Sequence, residues 1–232
     1  MQKFEIYQGI TIREARVAKI IRDITSECWG DPAELVDRWL EIADLVILLE
    51  INKKYIGFAV GKKINSRVIT LVASAVLSEF QGNGYARIIN KKMLAMLFCA
   101  DTNKFPRNFL INNAYIVFRT PNPRLISSLY KEGYTFPSIN NLPPTKEEME
   151  IFQEIIKIFS ISSQYDIRKS IVYSAYINYP SLIYTHLNIP WSVHSKINKF
   201  CEKYLRLTRR EGNTMVVIRR LTLLEKLFLL IK

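Results

Sequence analysis

Residues Gln81–Ala86 place two glycines, Gly82 and Gly84, between two segments of opposite character. Before them, Val68–Leu77 is rich in Val, Ile, Ala and Thr and reads as a long strand. After them, Arg87–Cys99 carries Ile88, Ile89, Met93, Leu94, Met96, Leu97 and Phe98 at helical spacing. A glycine turn from strand into helix exposes several backbone N–H groups in one direction, at the positive end of the helix dipole. Gly84 has no Cβ, so a pyrophosphate can approach the backbone closely. Glycines also occur in such turns for steric reasons alone, so the loop gains meaning only from its surroundings.

Those surroundings are ordered. Phe4–Gln8 alternates apolar and polar residues and predicts a first strand. Arg13–Cys28 predicts an amphipathic helix. Asp31-Pro32 starts a second helix, with Asp31 as cap and Pro32 in the first turn, running to about Ile42. Leu45–Ile51 and Tyr55–Lys63, joined at Asn52-Lys53, predict a hairpin. Asn113–Arg119 is a further strand. Thr120–Pro123 opens a helix that reaches Lys131 and stops at Gly133, and Tyr134–Phe136 begins another strand. The order is β-αα-βββ-α-β-α-β.

Beyond the prolines of residues 140–144 the pattern changes. Lys146–Phe159 and His194–Leu205 predict helices, a short hairpin is expected around Ile171–Tyr179, and Met215–Arg219 is a strand. The tail 221–232 is an apolar helix with Leu223, Leu224, Leu227, Phe228 and Ile231 at helical spacing. Packing on the domain or a seam between two copies is expected for that stripe.

Composition excludes several classes. The 232 residues are 49% hydrophobic and 23% charged. That balance is ordinary for a soluble globular chain. No apolar run approaches the length of a membrane span, roughly 20 residues. Met1–Arg16 does not read as a signal peptide. Cys28, Cys99 and Cys201 lie far apart, which argues against a disulfide framework or zinc knuckle and suits a reducing cytoplasm. With only His186 and His194, no histidine metal site or Ser-His-Asp triad is expected. The net charge of +12 is uneven. Residues 1–50 hold 6 Lys/Arg against 10 Asp/Glu, whereas residues 51–144 hold 13 against 3 and residues 145–232 hold 14 against 8. A basic middle suits a phosphorylated cofactor or a nucleic acid backbone, and is equally common as plain surface charge.

The turn Gln81-Gly82-Asn83-Gly84-Tyr85-Ala86 resembles the signature Q/R-x-x-G-x-G/A of the GNAT (N-acetyltransferase) superfamily at Gln81, Gly84 and Ala86. Asn122 and Gly133-Tyr134 are similar to that family's N-x10-G-F/Y segment, and the element order agrees over about residues 4–136. The resemblance implies a single GNAT domain over 1–232, with a central mixed, mostly antiparallel sheet flanked by helices (an α/β, or α+β, fold). Residues 142–213 are then a helical insertion before the last strand. It implies acetyl-CoA or another acyl-CoA as cofactor. Backbone amides of Gln81 and of Asn83, Gly84, Tyr85 and Ala86 would hold its pyrophosphate, with Gly82 shaping the turn. Backbone groups of Val76, Leu77 and Ser78 would pair with the pantetheine arm, which Asn122 would also contact. Arg87, Lys91 and Lys92 follow the turn and are candidate helpers.

The match is incomplete where many members carry a tyrosine, seven residues after the motif asparagine, that protonates the departing thiolate. Leu129 stands there, and Tyr130, one residue later, is the candidate acid, with Ser128 a weaker substitute. Glu79 is the candidate base, with Glu50 as another. The implied reaction is acyl transfer from acetyl-CoA to a primary amine of unspecified identity. The acidic first fifty residues suit a cationic amine. Tyr165, Tyr173, Tyr176, Tyr179, Tyr184 and Trp191 would line a bulky acceptor or pack a small core. The alternative is a non-catalytic module of the same fold that binds acyl-CoA or nucleic acid, the latter the less expected partner.

Overall fold

The computed structural model describes residues 2–30, 33–99, 107–131, 134–140, 142–161, 164–176 and 189–230. The chain forms two compact units, one of Met1–Asn113 with Leu223–Lys232, the other of Ala114–Thr222.

In the first unit, β1 (Gln2–Gln8), β2 (Leu45–Ile51), β3 (Lys54–Asn65) and β4 (Val68–Val76) pair antiparallel in that order. Leu45 to Leu49 are fully buried, which fits an unbroken apolar run covered on both faces. The covers are α1 (Ala15–Trp29) and α2 (Ala33–Ile42) on one side and α3 (Tyr85–Cys99) on the other. Two neighbours on β3 show this, because successive strand residues point to opposite faces. Phe58 meets Trp29 of α1 and Trp39 of α2, with ring centroids 6.5 Å away in each case. Gly57 faces α3: a Cβ there would lie 3.0 Å from Ile89 Cδ1 and 2.9 Å from the Ala75 carbonyl oxygen. Four residues along, a Cβ on Gly61 would meet Met93 Sδ at 2.6 Å and Leu97 Cδ1 at 2.7 Å. Two glycines on one strand therefore let α3 lie close against the sheet.

A short helix, α4 (Arg107–Ile111), has no counterpart in the sequence reading. The last helix, α8 (Leu223–Leu230), returns to this unit. Of the two placements expected for its apolar stripe, packing on the domain is not what most of the stripe does, and a seam between two copies would use the face left exposed. Lys226 is buried at 5% exposure, while Leu223, Leu224, Leu227 and Phe228 are between 40% and 62% exposed. The cause is at the end of α4. Lys226 Nζ donates to the Leu110 carbonyl at 3.3 Å and to the Asn112 carbonyl. It thereby satisfies acceptors that a helix C-terminus leaves open. Asp31-Pro32 and Ile231 lie outside the described residues.

In the second unit, β5 (Tyr115–Thr120) pairs antiparallel with β9 (Thr214–Arg220). The other edge of β9 is shared by β6 (Thr135–Phe136) and β8 (Ile171–Val172), and β8 pairs with β7 (Tyr165–Asp166). The hairpin therefore lies earlier than Ile171–Tyr179. Its turn is set by Asp166, whose Oδ1 accepts from Lys169 N at 3.0 Å. Ser170 completes it in the left-handed region at φ 58°. An aspartate that accepts from a nearby backbone N–H is a common turn device. Helix α6 (Lys146–Ile158) begins with a capping box: Thr145 Oγ1 accepts from Glu148 N, and the Glu148 carboxylate accepts from Thr145 N. Helices α5 (Pro123–Lys131) and α7 (Ser195–Leu205) complete the unit. Gly133, Tyr179, Tyr184 and His186 lie outside the described residues.

Candidate functional site

At the end of β4 the Leu77 N–H donates to the Ile56 carbonyl at 2.8 Å, the last rung toward β3. The chain then makes a 3-10 turn, Ser78–Phe80, held by Phe80 N to Leu77 O at 2.9 Å and Gln81 N to Ser78 O at 3.2 Å. The Gln81 side chain folds back, and its Nε2 donates to the Val76 carbonyl at 2.9 Å. The same carbonyl accepts a weak hydrogen bond from Cys28 Sγ at 3.5 Å. Val76 O is thus served by two side chains, contacts that leave no signature in the sequence. Burial pushes the Cys28 thiol up to about 11, so it stays protonated near neutral pH.

Gly82 and Gly84 adopt φ of 82° and 78°, the left-handed region that favours glycine. A Cβ at either position would meet nothing within 4 Å. These glycines are required by backbone conformation and not by packing, unlike Gly57 and Gly61. Asn83 Nδ2 donates to Phe80 O at 3.3 Å and Gln81 O at 3.4 Å, closing the turn on itself. The first helical hydrogen bond of α3 runs from Ile88 N to Gly84 O at 3.1 Å. The amides of Tyr85, Ala86 and Arg87 precede that ladder and have no carbonyl within the helix to receive them. The result is an open turn, with no Cβ at Gly82 or Gly84, and amide donors at a helix N-terminus, the chemistry of a phosphate cradle.

Glu79 stands beside this turn, paired with Lys54 Nζ at 2.5 Å, both about half exposed. Lys54 also lies over the Phe80 ring, 5.8 Å from its centroid, and Phe80 meets Tyr85 edge to face. Of the basic residues after the turn, Lys91 lies over Phe228 and Lys92 over Phe4, whereas Arg87 is exposed. Glu50 belongs elsewhere, beside a cluster built on β1. There Glu5 accepts from Lys3 Nζ (2.8 Å), Tyr7 Oη (2.6 Å) and Arg16 Nη2 (3.1 Å), and Arg16 also reaches Tyr55. The Lys3 bond first, then that from Tyr7, hold the Glu5 carboxyl at about 2, against an ordinary 4.5. A depressed carboxylate stabilises the fold fully above its unfolded pKa, and the benefit is lost as pH falls through the folded one. The melting-temperature gap between the wild type and Glu5→Gln is therefore expected to be constant above pH 4.5 and to close toward pH 2. A gap that does not change over that range would remove the charge from the explanation.

Asn122 and Tyr130 lie in the second unit. Asn122 caps α5, its Oδ1 accepting from Arg124 N at 2.9 Å and from Leu125 N at 3.3 Å. Thr120 Oγ1 in turn accepts from Asn122 N at 3.0 Å. The Asn122 carboxamide oxygen is committed to the helix, which leaves the Nδ2 donor for other use. Tyr130 donates its hydroxyl to the Pro137 carbonyl and meets Phe200 edge to face at 6.1 Å. Burial holds its pKa well above the ordinary range, so the phenol keeps its proton. Leu129, the residue at the family's tyrosine position, is buried in the core. Ser128 Oγ donates to Leu125 O at 2.8 Å within its own helix.

The stretch 15–107, which contains the glycine turn and α3, matches the model of the acetyltransferase (GNAT) family. Over that stretch the chain is similar to GNAT acetyltransferases. No curated protein matches the sequence. Among solved structures, the chain is similar to a GNAT family acetyltransferase from Brucella melitensis in complex with acetyl-CoA. The identity is 18% over 50% of this chain and 75% of that one, with a TM-score of 0.37. It is also similar to GCN5 of Tetrahymena, at 18% identity over 62% of this chain and 84% of that one, with a TM-score of 0.44. A GNAT family acetyltransferase from Elizabethkingia anophelis, with acetyl-CoA bound, aligns over 95% of this chain and 98% of its own at 12% identity and a TM-score of 0.44. Among the described residues no helix is long and apolar enough to cross a membrane, and no group of His, Cys, Asp and Glu is placed to hold a metal.

Proposed function

We propose that this chain is an acyl-CoA-dependent N-acyltransferase of the GNAT kind that moves acetyl from acetyl-CoA to a primary amine. The observation that carries the reading is the Gln81–Ala86 turn, with Gly82 and Gly84 at positive φ, open space where their side chains would be, and the N-terminal amides of α3 outside the helical ladder. The residues fit a pyrophosphate: Gln81 and Asn83 shape the turn, and the amides of Asn83, Gly84, Tyr85 and Ala86 donate. The amide of Leu77 is tied to β3, so the pantetheine arm is left to Val76 and Ser78. An amide N–H of that arm would find Val76 O held on one side only by the weak Cys28 thiol donor. Asn122 Nδ2 is the proposed side-chain donor to the same arm.

When bound, acetyl-CoA supplies an acetyl group activated as a thioester. Transfer to an amine breaks the C–S bond, forms the C–N bond of an amide, and moves one proton from nitrogen to the departing thiolate. Glu79 is the proposed base; it accepts the proton once Lys54 releases its carboxylate. Tyr130 is the proposed acid, its proton retained by burial and aimed at Pro137 O in this state. Tyr130→Phe is expected to cost about 1 kcal/mol of stability through the lost hydrogen bond. If Tyr130 also protonates the thiolate, kcat falls by about a hundredfold. A melting shift with kcat unchanged assigns the residue to packing alone.

Calorimetric titration with acetyl-CoA, beside free CoA, tests the reading. Stoichiometric, saturable binding that survives moderate salt supports it. Absence of binding by both would reduce the turn to a turn and favour the basic surface, whose affinity for a polyanion falls steeply with salt.

A further inference from the structure

Several arginines of this chain have polar partners. Arg16, Arg22 and Arg206 each pair with a carboxylate, and Arg124 Nε donates to the Trp191 carbonyl at 3.1 Å. Arg119, on β5, differs. Its guanidinium lies 4.8 Å from the centroid of Phe159 and 5.6 Å from that of Tyr176. Among the described residues it has no hydrogen-bond acceptor and no carboxylate within ion-pair distance. The residue is half-buried, and none of its nitrogens is sealed from solvent without a partner. Two aromatic rings thus fix a planar cation while its N–H donors, which lie in the plane, stay accessible at its edge. A guanidinium held this way has lost its side-chain freedom before any ligand arrives, and its fork matches a carboxylate or phosphate in two parallel hydrogen bonds. Arg119 stands three residues before Asn122, next to the C-terminal end of β5.

We propose that Arg119 is an oxyanion site that takes a carboxylate or a phosphate group in two parallel hydrogen bonds. This site stands independently of the acyltransferase reading.

The test modifies the full chain with phenylglyoxal, which attacks accessible guanidinium groups, and follows Arg119 by peptide mass spectrometry with exposed Arg38 as internal reference. Acetate or inorganic phosphate is expected to slow modification of Arg119 about fivefold relative to Arg38. Acetamide, the neutral analogue, leaves it unchanged. Equal rates with and without both oxyanions would overturn the site. Protection by acetyl-CoA alone, with none from acetate or phosphate, would likewise overturn a site for a free oxyanion. Failure of acetyl-CoA to bind in calorimetry would sink the acyltransferase reading, yet leave protection of Arg119 by phosphate intact.

Discussion

Gly84→Val is expected to abolish measurable acetyl-CoA binding, a loss of about a hundredfold or more in affinity, in a protein that still folds. Two effects of the valine differ in kind. Inside the protein, its Cβ meets no atom within 4 Å, so nothing is overpacked. The internal penalty is conformational, because Gly84 sits at φ 78°. A residue with a Cβ is strained there by roughly 1–2 kcal/mol. Outside, the side chain projects into the space where a pyrophosphate must approach the amides of α3. Gly84→Ala separates the two effects. It carries the conformational penalty with the least bulk, so its stability falls nearly as far while part of the affinity returns. Calorimetry and thermal melting on both variants provide the readout. Normal binding by Gly84→Val would refute the cradle.

The second large effect is on stability. Gly57→Val is expected to cost about 3 kcal/mol, near the upper end for overpacking, because the nearest atom is backbone. A Cβ at Gly57 lies 2.9 Å from the Ala75 carbonyl oxygen on the paired strand, which cannot move without bending β4. At Gly61 the close atoms are Met93 Sδ and Leu97 Cδ1, the far ends of flexible side chains. Gly61→Ala is therefore expected to cost about 1 kcal/mol, even though its contacts are shorter. Urea denaturation measures both. A ranking in the opposite order would mean that β4 yields more readily than the side chains of α3.

Much of this architecture is legible from residues alone. Leu45–Ile51 is legible to the residue, because an apolar run buried on both faces leaves no ambiguity of period. The turn at Gln81–Ala86 is legible because positive φ beside a helix start leaves a glycine signature. Other features depend on partners distant in sequence. Helix α4 spans Arg107–Ile111, too short for any periodic pattern. The apolar residues after Ser170 pull the expected hairpin too late, because the Asp166 turn fixes the reversal. The outward stripe of α8 has no local cause, since nothing in Leu223–Leu230 says that Lys226 will find two carbonyls to cap. Pro137's hold on Tyr130 and Cys28's contact with Val76 are likewise tertiary, and they bear directly on how the proposed acid and the β4 carbonyl are used.

The return of α8 to the first unit has a consequence for synthesis. Lys226 caps the Asn112 carbonyl, far upstream, and Cys99 of α3 reaches the Leu229 carbonyl, far downstream. The loops closed by these contacts are long, and such contacts form late because chain entropy opposes them until much else is in place. On the ribosome, the strands and α3 emerge well before the segment that stops the end of α4. The first unit must wait, with the Leu110 and Asn112 carbonyls not yet capped by Lys226, until the second has been translated, so the helix that follows the glycine turn gains its contact with Leu229 only after that.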